Sequence, residues 1–144
     1  MLTEIDAKEL VRRIFEEAVN QAQTDVIGEL YADDFIDHSP GPDQAPGPAG
    51  IVDVVKQYRT AIPDLSVTVE DVIVAGDRVI TRETWRGTHR HRLGDFLPTN
   101  ASFVATRIHI LRIENGRVAE EWTAGSIIDR LRALSTAEEN TWNF

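Results

Sequence analysis

Apolar positions recur at two different spacings along the chain, and the change of spacing divides it into two halves. In the first half they recur every three or four residues, which is typical of amphipathic helices. Three stretches show this spacing: residues 10–18, 26–31 and 51–62. The second helix is expected to run on to Asp37 and His38, and the third to stop at Pro63. Residues 39–50 hold four prolines and three glycines, and they predict an irregular loop.

In the second half, apolar and polar residues alternate, as in strands with one face buried. Four strands are predicted over residues 65–74, 78–89, 102–113 and 117–123, with an irregular stretch over residues 90–100. Asn115-Gly116 is a strong hairpin signal, because both central residues of the turn need a positive φ. A short helix near Leu131 and a loose polar tail to Phe144 are expected to complete the chain.

Helices followed by strands predict an α+β fold rather than a repeated βαβ unit. We expect a curved antiparallel sheet wrapped by the N-terminal helices, which forms a cone around a hydrophobic pocket. The length of 144 residues suits a single domain over residues 1–144, with its core at about residues 5–130.

Charge and cysteine content narrow the possible partners and chemistry. The formal net charge of −9 argues against a nucleic acid or an anionic membrane as partner, because both attract Lys and Arg. The chain has no cysteine, so disulfides, a thiol nucleophile and a zinc–thiolate site are excluded. Residues 1–13 carry three acidic residues and no long apolar run, which predicts neither a signal peptide nor a membrane span. We therefore expect a cytoplasmic protein.

The strand over residues 102–113 is apolar on both faces. Phe103, Arg107 and His109 share one face, and Val104 and Ile108 share the other. A solvated sheet face should be polar, so the second face is expected to be covered. Because no further helix is long enough to cover it, we predict a homodimer that packs sheet against sheet.

Several motifs occur together in a characteristic order. They are Tyr31-Ala32-Asp33-Asp34-Phe35-Ile36-Asp37-His38, Pro63-Asp64-Leu65, Glu70-Asp71, Gly76-Asp77-Arg78-Val79, Arg86-Gly87-Thr88-His89, His109-Ile110-Leu111-Arg112-Ile113, Asn115-Gly116-Arg117-Val118 and Glu120-Glu121-Trp122. Taken together, they resemble the SnoaL-like polyketide cyclase family, within the NTF2-like (ketosteroid isomerase-like) superfamily. The resemblance implies a cone, usually dimeric, with a hydrophobic pocket. Well-studied members close a polyketide ring by aldol chemistry without metal or cofactor, and others hydroxylate polyketides, open epoxides or form cyclic ethers.

The chain departs from the family pattern at its acid/base position. In relatives an aspartate follows a Glu-His-Trp-like motif, whereas here Glu121 stands at the histidine and Thr123 at the aspartate. A threonine hydroxyl cannot replace a carboxylate in proton transfer near neutral pH. The family's Gly-Ile-Pro-Pro-Thr-Gly loop is also replaced, by residues 91–100. Both departures indicate a different reaction or substrate.

Four residues are candidates for catalysis. Glu121 can replace the missing carboxylate, although it could also be an ordinary edge-strand acid or an ion-pair partner of Arg107. His109 matches the family's pocket histidine, although a histidine between isoleucines is often a core residue. Glu83 adds a carboxylate to the predicted pocket wall, where it could simply be a paired acid. His38 matches a histidine at the pocket mouth of relatives, or it caps a helix.

The remaining candidates would bind the substrate. They are Trp85, Tyr58, His89, Phe103, Arg107 and Thr123. His89 and His91, with Asp95 or Glu83, permit a metal hypothesis, but two histidines without a flanking signature are a weak signal. Together with the resemblance to a family that works without metal or cofactor, this leads us to expect no metal and no cofactor.

Two functions remain open at this point. The first is a SnoaL-like enzyme that cyclises, isomerises, dehydrates or opens an epoxide in a hydrophobic polyketide-like molecule by acid/base chemistry, or that hydroxylates a polyketide. The second is a protein on the same cone that binds a small molecule without converting it, which the loss of the family aspartate at Thr123 favours.

Overall fold

The computed structural model describes the backbone of residues 1–142 and the side chains of residues 1–135. The helices are α1 (Glu4–Arg12), α2 (Ile27–Leu30), α3 (Pro48–Ala61) and α4 (Ile127–Trp142). The strands are β1 (Tyr31–Asp37), β2 (Ser66–Ala75), β3 (Arg78–Thr88), β4 (Ser102–Glu114) and β5 (Arg117–Ala124). These elements confirm the predicted α+β class.

The first helix begins at a capped N-terminus and packs on the sheet. The Thr3 side chain accepts a hydrogen bond from the backbone N–H of Asp6 at 3.0 Å, which satisfies one of the free donors of the first turn. The helix continues beyond α1 as a π-helical stretch, Arg13–Asn20. Val11 of α1 and Phe15 of the π-helical stretch are both buried, so the apolar side of this continuous helix forms one wall of the core.

Residues 31–37 correct the prediction that the second helix runs on to His38. They form β1, which pairs in parallel with β5, Asp37 lying opposite Glu121. Tyr31 and Phe35 are buried four residues apart, a spacing that suits a helix as well as an irregular strand. Pairing with a strand that is distant in the sequence decides between the two, and it places a strand before α3.

The five strands form one sheet in the order β1-β5-β4-β3-β2, antiparallel except for the β1–β5 pair. Asn115 and Gly116 have φ values of 52° and 76°, which confirms the predicted hairpin turn. A bulge interrupts the alternation of side chains in β5, which would place Val118 and Glu120 on one face. Val118 pairs with Ile113 while Glu120 pairs with Arg112, so Val118 is buried instead of sharing the outer face with Glu120.

The inner face of the sheet carries the core, and the outer face exposes apolar side chains. Ile73, Val104 and Ile108 are 55%, 53% and 40% exposed. The homodimer through this face stays a prediction.

α4 is longer than the short helix expected, and it buries Ile127 and Leu131 against the core. The tail predicted to be loose ends in residues 143–144, which lie outside the described residues. Within the described part of the chain, no helix has both the length and the apolar character that crossing a membrane requires.

Candidate active site

A cavity of about 950 Å³ opens between the inner face of the sheet and α3. The loop after β1, the segment around Phe96 and the start of α4 form its mouth. Its wall carries the aromatic side chains of Phe15, Tyr31, Tyr58 and Trp85. Its floor carries the titratable side chains of Asp37, Arg107, His109 and Glu121. A volume of this size is typical of pockets that enclose a small organic ligand.

Strand pairing aligns the polar side chains in a row across the floor of the cavity. Asp37 of β1 pairs with Glu121 of β5, and Thr123 of β5 pairs with His109 of β4. Glu83 of β3 pairs with Arg107 of β4, two residues from His109 and on the same face. Residues two apart on a strand lie about 7 Å from each other, so one ligand can contact several of these groups.

Glu83 is a buried anchor for His109 rather than a residue of the cavity wall. Its side chain is completely buried. The carboxylate accepts hydrogen bonds from Thr81 Oγ1 at 2.8 Å and from Trp85 Nε1 at 3.2 Å. His109 Nδ1 lies 2.5 Å from Glu83 Oε1, and Nδ1–H donates to this carboxylate. Nδ1 is therefore occupied, and Nε2 is the ring nitrogen of His109 left for a ligand in the cavity.

Glu121 lies in the cavity floor with its carboxyl group unpaired. Its side chain is only 6% exposed, and within residues 1–135 no donor forms a hydrogen bond with the carboxyl oxygens. Burial raises the pKa of Glu121, because an ionised carboxylate is poorly solvated there. The charge of Asp37 raises this pKa further, whereas His109 and Arg107 lower it. A carboxyl group with a raised pKa can act as a proton donor as well as a proton acceptor.

Asp37 is a site residue that the sequence pattern did not reveal. Its carboxylate lines the cavity and accepts hydrogen bonds from the backbone N–H of Ser39 and from Gln44 Nε2, each at 2.9 Å. Asp37 therefore has two hydrogen-bond donors, whereas Glu121 beside it has none among the described side chains. The only signal in the sequence was the position of Asp37 before His38, and the expected helix placed it wrongly.

Arg107 places its guanidinium over the aromatic rings of Trp85 and Tyr58. The guanidinium carbon lies 4.8 Å from the ring centre of Trp85 and 5.9 Å from that of Tyr58. Arg107 Nε donates to the carbonyl oxygen of Gly125 at 2.9 Å, which fixes the orientation of the group. Gly125 has a φ of 95°, and a Cβ there would lie 2.5 Å from the carbonyl oxygen of Thr106. Glycine is therefore required where β5 ends.

The structure places three predicted site residues elsewhere. His38 lies on the outer face, where it stacks on Trp122 at 4.5 Å and Nε2 donates to Glu120 Oε1 at 3.0 Å. His38 comes directly after Asp37, the last residue of β1, and successive side chains of an extended chain point to opposite sides. Phe103 is buried in the core and lies outside the cavity lining.

His89 is also buried beside the cavity rather than in its lining. It stacks on Phe96 with ring centres 5.4 Å apart, and its Nδ1 accepts a hydrogen bond from the backbone N–H of Thr99 at 3.2 Å. Burial lowers the pKa of His89. Among the described residues, no group of three His, Asp or Glu side chains is arranged to hold a metal ion.

The structure brings most of the predicted site residues together and places His38, Phe103 and His89 elsewhere. Glu121, His109, Arg107, Thr123, Trp85 and Tyr58 line one cavity, and Glu83 supports it from behind. The sequence pattern identified the inner faces of β3, β4 and β5 because alternation sorts side chains by face.

A curved sheet wrapped by helices around a cavity that opens at one end defines the NTF2-like cone. The model of the SnoaL-like polyketide cyclase family matches residues 9–135, so the chain belongs to this family. No curated protein matches the sequence at a significant level.

Solved structures similar to this chain come from several bacteria. TsrD from Streptomyces laurentii is 21% identical over 91% of this chain and 98% of its own, with a TM-score of 0.81. IdmH from Streptomyces antibioticus, a proposed polyketide cyclase, is 28% identical over 90% and 98% of the two chains, with a TM-score of 0.74. AclR from Streptomyces galilaeus, a proposed hydroxylase, is 22% identical over 91% and 98%, with a TM-score of 0.73.

Proposed function

We propose that this protein is an enzyme that catalyses proton transfer on a hydrophobic, oxygenated, polyketide-like molecule, leading to ring closure or a related isomerisation or dehydration. One observation carries the proposal: the Glu121 carboxyl is buried in the cavity floor, has a raised pKa and has no hydrogen-bond partner among the described side chains. A buried carboxyl without a structural partner is costly for a fold, and such groups concentrate at functional sites.

The neighbours of Glu121 supply the other groups that the reaction requires. In the ionised form, Glu121 takes a proton from the carbon next to a substrate carbonyl, and that oxygen gains negative charge. In its doubly protonated form His109 donates Nδ1–H to Glu83 and presents Nε2–H to the cavity, where this second N–H donates to the developing oxyanion. Asp37 favours the return of the proton to Glu121, because two adjacent carboxylates repel each other.

The shape of the cavity and the family support a substrate of this class. A volume of about 950 Å³ accommodates several fused rings, and Trp85 and Tyr58 provide flat apolar surfaces for them. IdmH, a proposed polyketide cyclase, and AclR, a proposed hydroxylase, share the fold. Glu121 takes the role of the carboxylate that the family places at the position of Thr123.

Hydrogen–deuterium exchange on a simple ketone tests the proposal. Proton NMR in D₂O follows the loss of the α-protons of 2-tetralone, a bicyclic aromatic ketone, with and without the protein. We expect exchange faster than in buffer, and a loss of the added rate of about 100-fold in Glu121→Gln. Glu120→Gln is the matched control, because Glu120 directly precedes Glu121 in β5 and faces the other side of the sheet. Full exchange activity in Glu121→Gln would refute the assignment.

A protein that binds its ligand without converting it is the second candidate, and Thr123 in place of the family aspartate favours it. Calorimetric binding of 2-tetralone without any acceleration of exchange would support this candidate. Acceleration that depends on Glu121 excludes it.

A further inference from the structure

We propose that the cavity binds an aromatic carboxylate whose two carboxylate oxygens are held by the guanidinium of Arg107. The inference rests on the proposed function for the identity of the cavity as the substrate site, and it adds the chemical class of the substrate. It starts from Arg107, a cation on the inner face of β4 that the proton-transfer chemistry does not use.

Arg107 is fixed in place but keeps most of its donors free. Its Nε donates to the carbonyl oxygen of Gly125, and its guanidinium carbon lies over the rings of Trp85 and Tyr58. The two terminal nitrogens of Arg107 have no hydrogen-bond partner within the described side chains. A guanidinium held by its Nε presents these nitrogens as a fork that matches the two oxygens of a carboxylate.

Arg107 also lacks a counter-ion in the described part of the protein. Several exposed arginines and the half-buried Arg59 lack one too, but Arg59 donates through its terminal nitrogens to the carbonyl oxygens of Leu65 and Pro63, whereas those of Arg107 have no partner among the described residues. Arg12, Arg13, Arg82 and Arg112 each form an ion pair with a carboxylate. Within residues 1–135, no carboxylate forms an ion pair with Arg107. Because a cation in a partly buried site is stabilised by an opposite charge, the missing partner is expected to be part of the ligand.

The carboxylates of the cavity do not form an ion pair with Arg107. Asp37 accepts hydrogen bonds from two other donors, and Glu121, whose pKa burial raises and the charge of Arg107 lowers, forms no salt bridge with Arg107 within residues 1–135. Four further aspartates line the cavity at its mouth, and all are exposed: Asp43, Asp53, Asp95 and Asp129. Exposed charges are screened by salt over about 8–10 Å, so they affect the approach of a ligand more than its final position.

The aromatic part of the ligand follows from the surroundings of Arg107. Trp85 and Tyr58 lie against the guanidinium, and both continue into the cavity wall. A ring attached to the carboxylate lies against the same surfaces once the two oxygens reach the fork. The ligand is therefore a flat acid rather than an aliphatic one.

Calorimetry with two matched ligands tests the proposal. The probes are 2-naphthoate and its neutral methyl ester, which share the ring and differ in charge. We expect the wild-type protein to bind the acid at least about tenfold more tightly than the ester. Arg107→Met should abolish this preference, and Arg107→Lys should keep part of it. Arg82→Met is the control, because it removes one positive charge from an exposed site on β3.

Three results would overturn the inference. They are equal binding of acid and ester by the wild-type protein, unchanged binding of the acid by Arg107→Met, and binding of neither ligand at millimolar concentration. The comparison of the two ligands on the wild-type protein does not depend on any variant that might misfold. Binding of naphthoate that depends on Arg107, together with no acceleration of tetralone exchange, would reject the proposed catalysis and leave this inference standing.

Discussion

Replacing Glu83 by leucine tests whether the carboxylate of Glu83 holds His109 in place. Glu83 is completely buried and accepts from three donors, those of Thr81, Trp85 and His109. Leucine leaves these donors without an acceptor, and each buried donor left unpaired costs about 1–3 kcal/mol. The Thr81 hydroxyl can rotate towards another acceptor, whereas the two ring N–H groups cannot. We therefore expect Glu83→Leu to lose about 3–5 kcal/mol of the free energy of unfolding.

Glutamine at the same position separates hydrogen bonding from charge. Glu83→Gln keeps a carbonyl oxygen for His109 and Trp85, so we expect a loss of only about 1–2 kcal/mol. Urea unfolding followed by far-UV circular dichroism measures both losses. Glu70→Leu is the control, since Glu70 is exposed and accepts a single hydrogen bond from Thr84; it should change stability by less than about 1 kcal/mol. Equal losses in the leucine and glutamine variants would refute the reasoning.

Two further changes test other parts of the site. The first is Glu121→Gln. Burial raises the pKa of Glu121, so the unfolded chain releases this proton at a lower pH than the folded protein does. The free energy of unfolding of the wild-type protein therefore falls as pH rises from about 4.5 through the pKa of the folded state. The variant should therefore be more stable than wild type at neutral pH and equal to it below a pH of about 4. Urea unfolding across this pH range measures the difference in free energy of unfolding between the two proteins. A difference that does not change with pH would contradict the prediction. The second is Gly125→Ala. Its methyl group would lie too close to the carbonyl oxygen of Thr106, on a backbone with a φ of 95° that alanine rarely adopts. We expect this variant to lose about 2–4 kcal/mol of the free energy of unfolding and to bind 2-naphthoate more weakly. Gly28→Ala is its control, since Gly28 lies in α2 with open space around it and should be neutral or slightly stabilising in the same melting and binding measurements.

Local patterns were sufficient for most elements of the fold. The three-to-four-residue spacing identified the N-terminal helix and α3, and alternation identified β2 to β5 to within one or two residues at most ends. The Asn115-Gly116 turn was predicted because its backbone conformation depends on those two residues alone. The inner face of β4, with Arg107 and His109, was predicted because side chains alternate along any strand.

Features that depend on pairing between distant strands could not be predicted from local sequence patterns. Tyr31 and Phe35 have a spacing that a helix and an irregular strand both satisfy, and only pairing with β5 selects the strand. That choice moves Asp37 into the cavity and turns His38 to the outer face, where it meets Glu120. The bulge that buries Val118 is likewise a property of the pairing between β4 and β5, in which one extra residue of β5 lies between Val118 and Glu120.

The sequence by itself determined the class of the protein: its α+β order, the resemblance of its motifs to the SnoaL-like family, and the presence of Glu121 and Thr123 where that family has His and Asp. Only the tertiary structure decided the role of each acid. Glu83, Glu121 and Asp37 have the same chemistry in isolation, but Glu83 is surrounded by three donors, Asp37 by two, and Glu121 by none among the described side chains. The reactivity of a carboxyl group follows from burial and from its hydrogen-bond partners, and both are set by strands that are far apart in the chain.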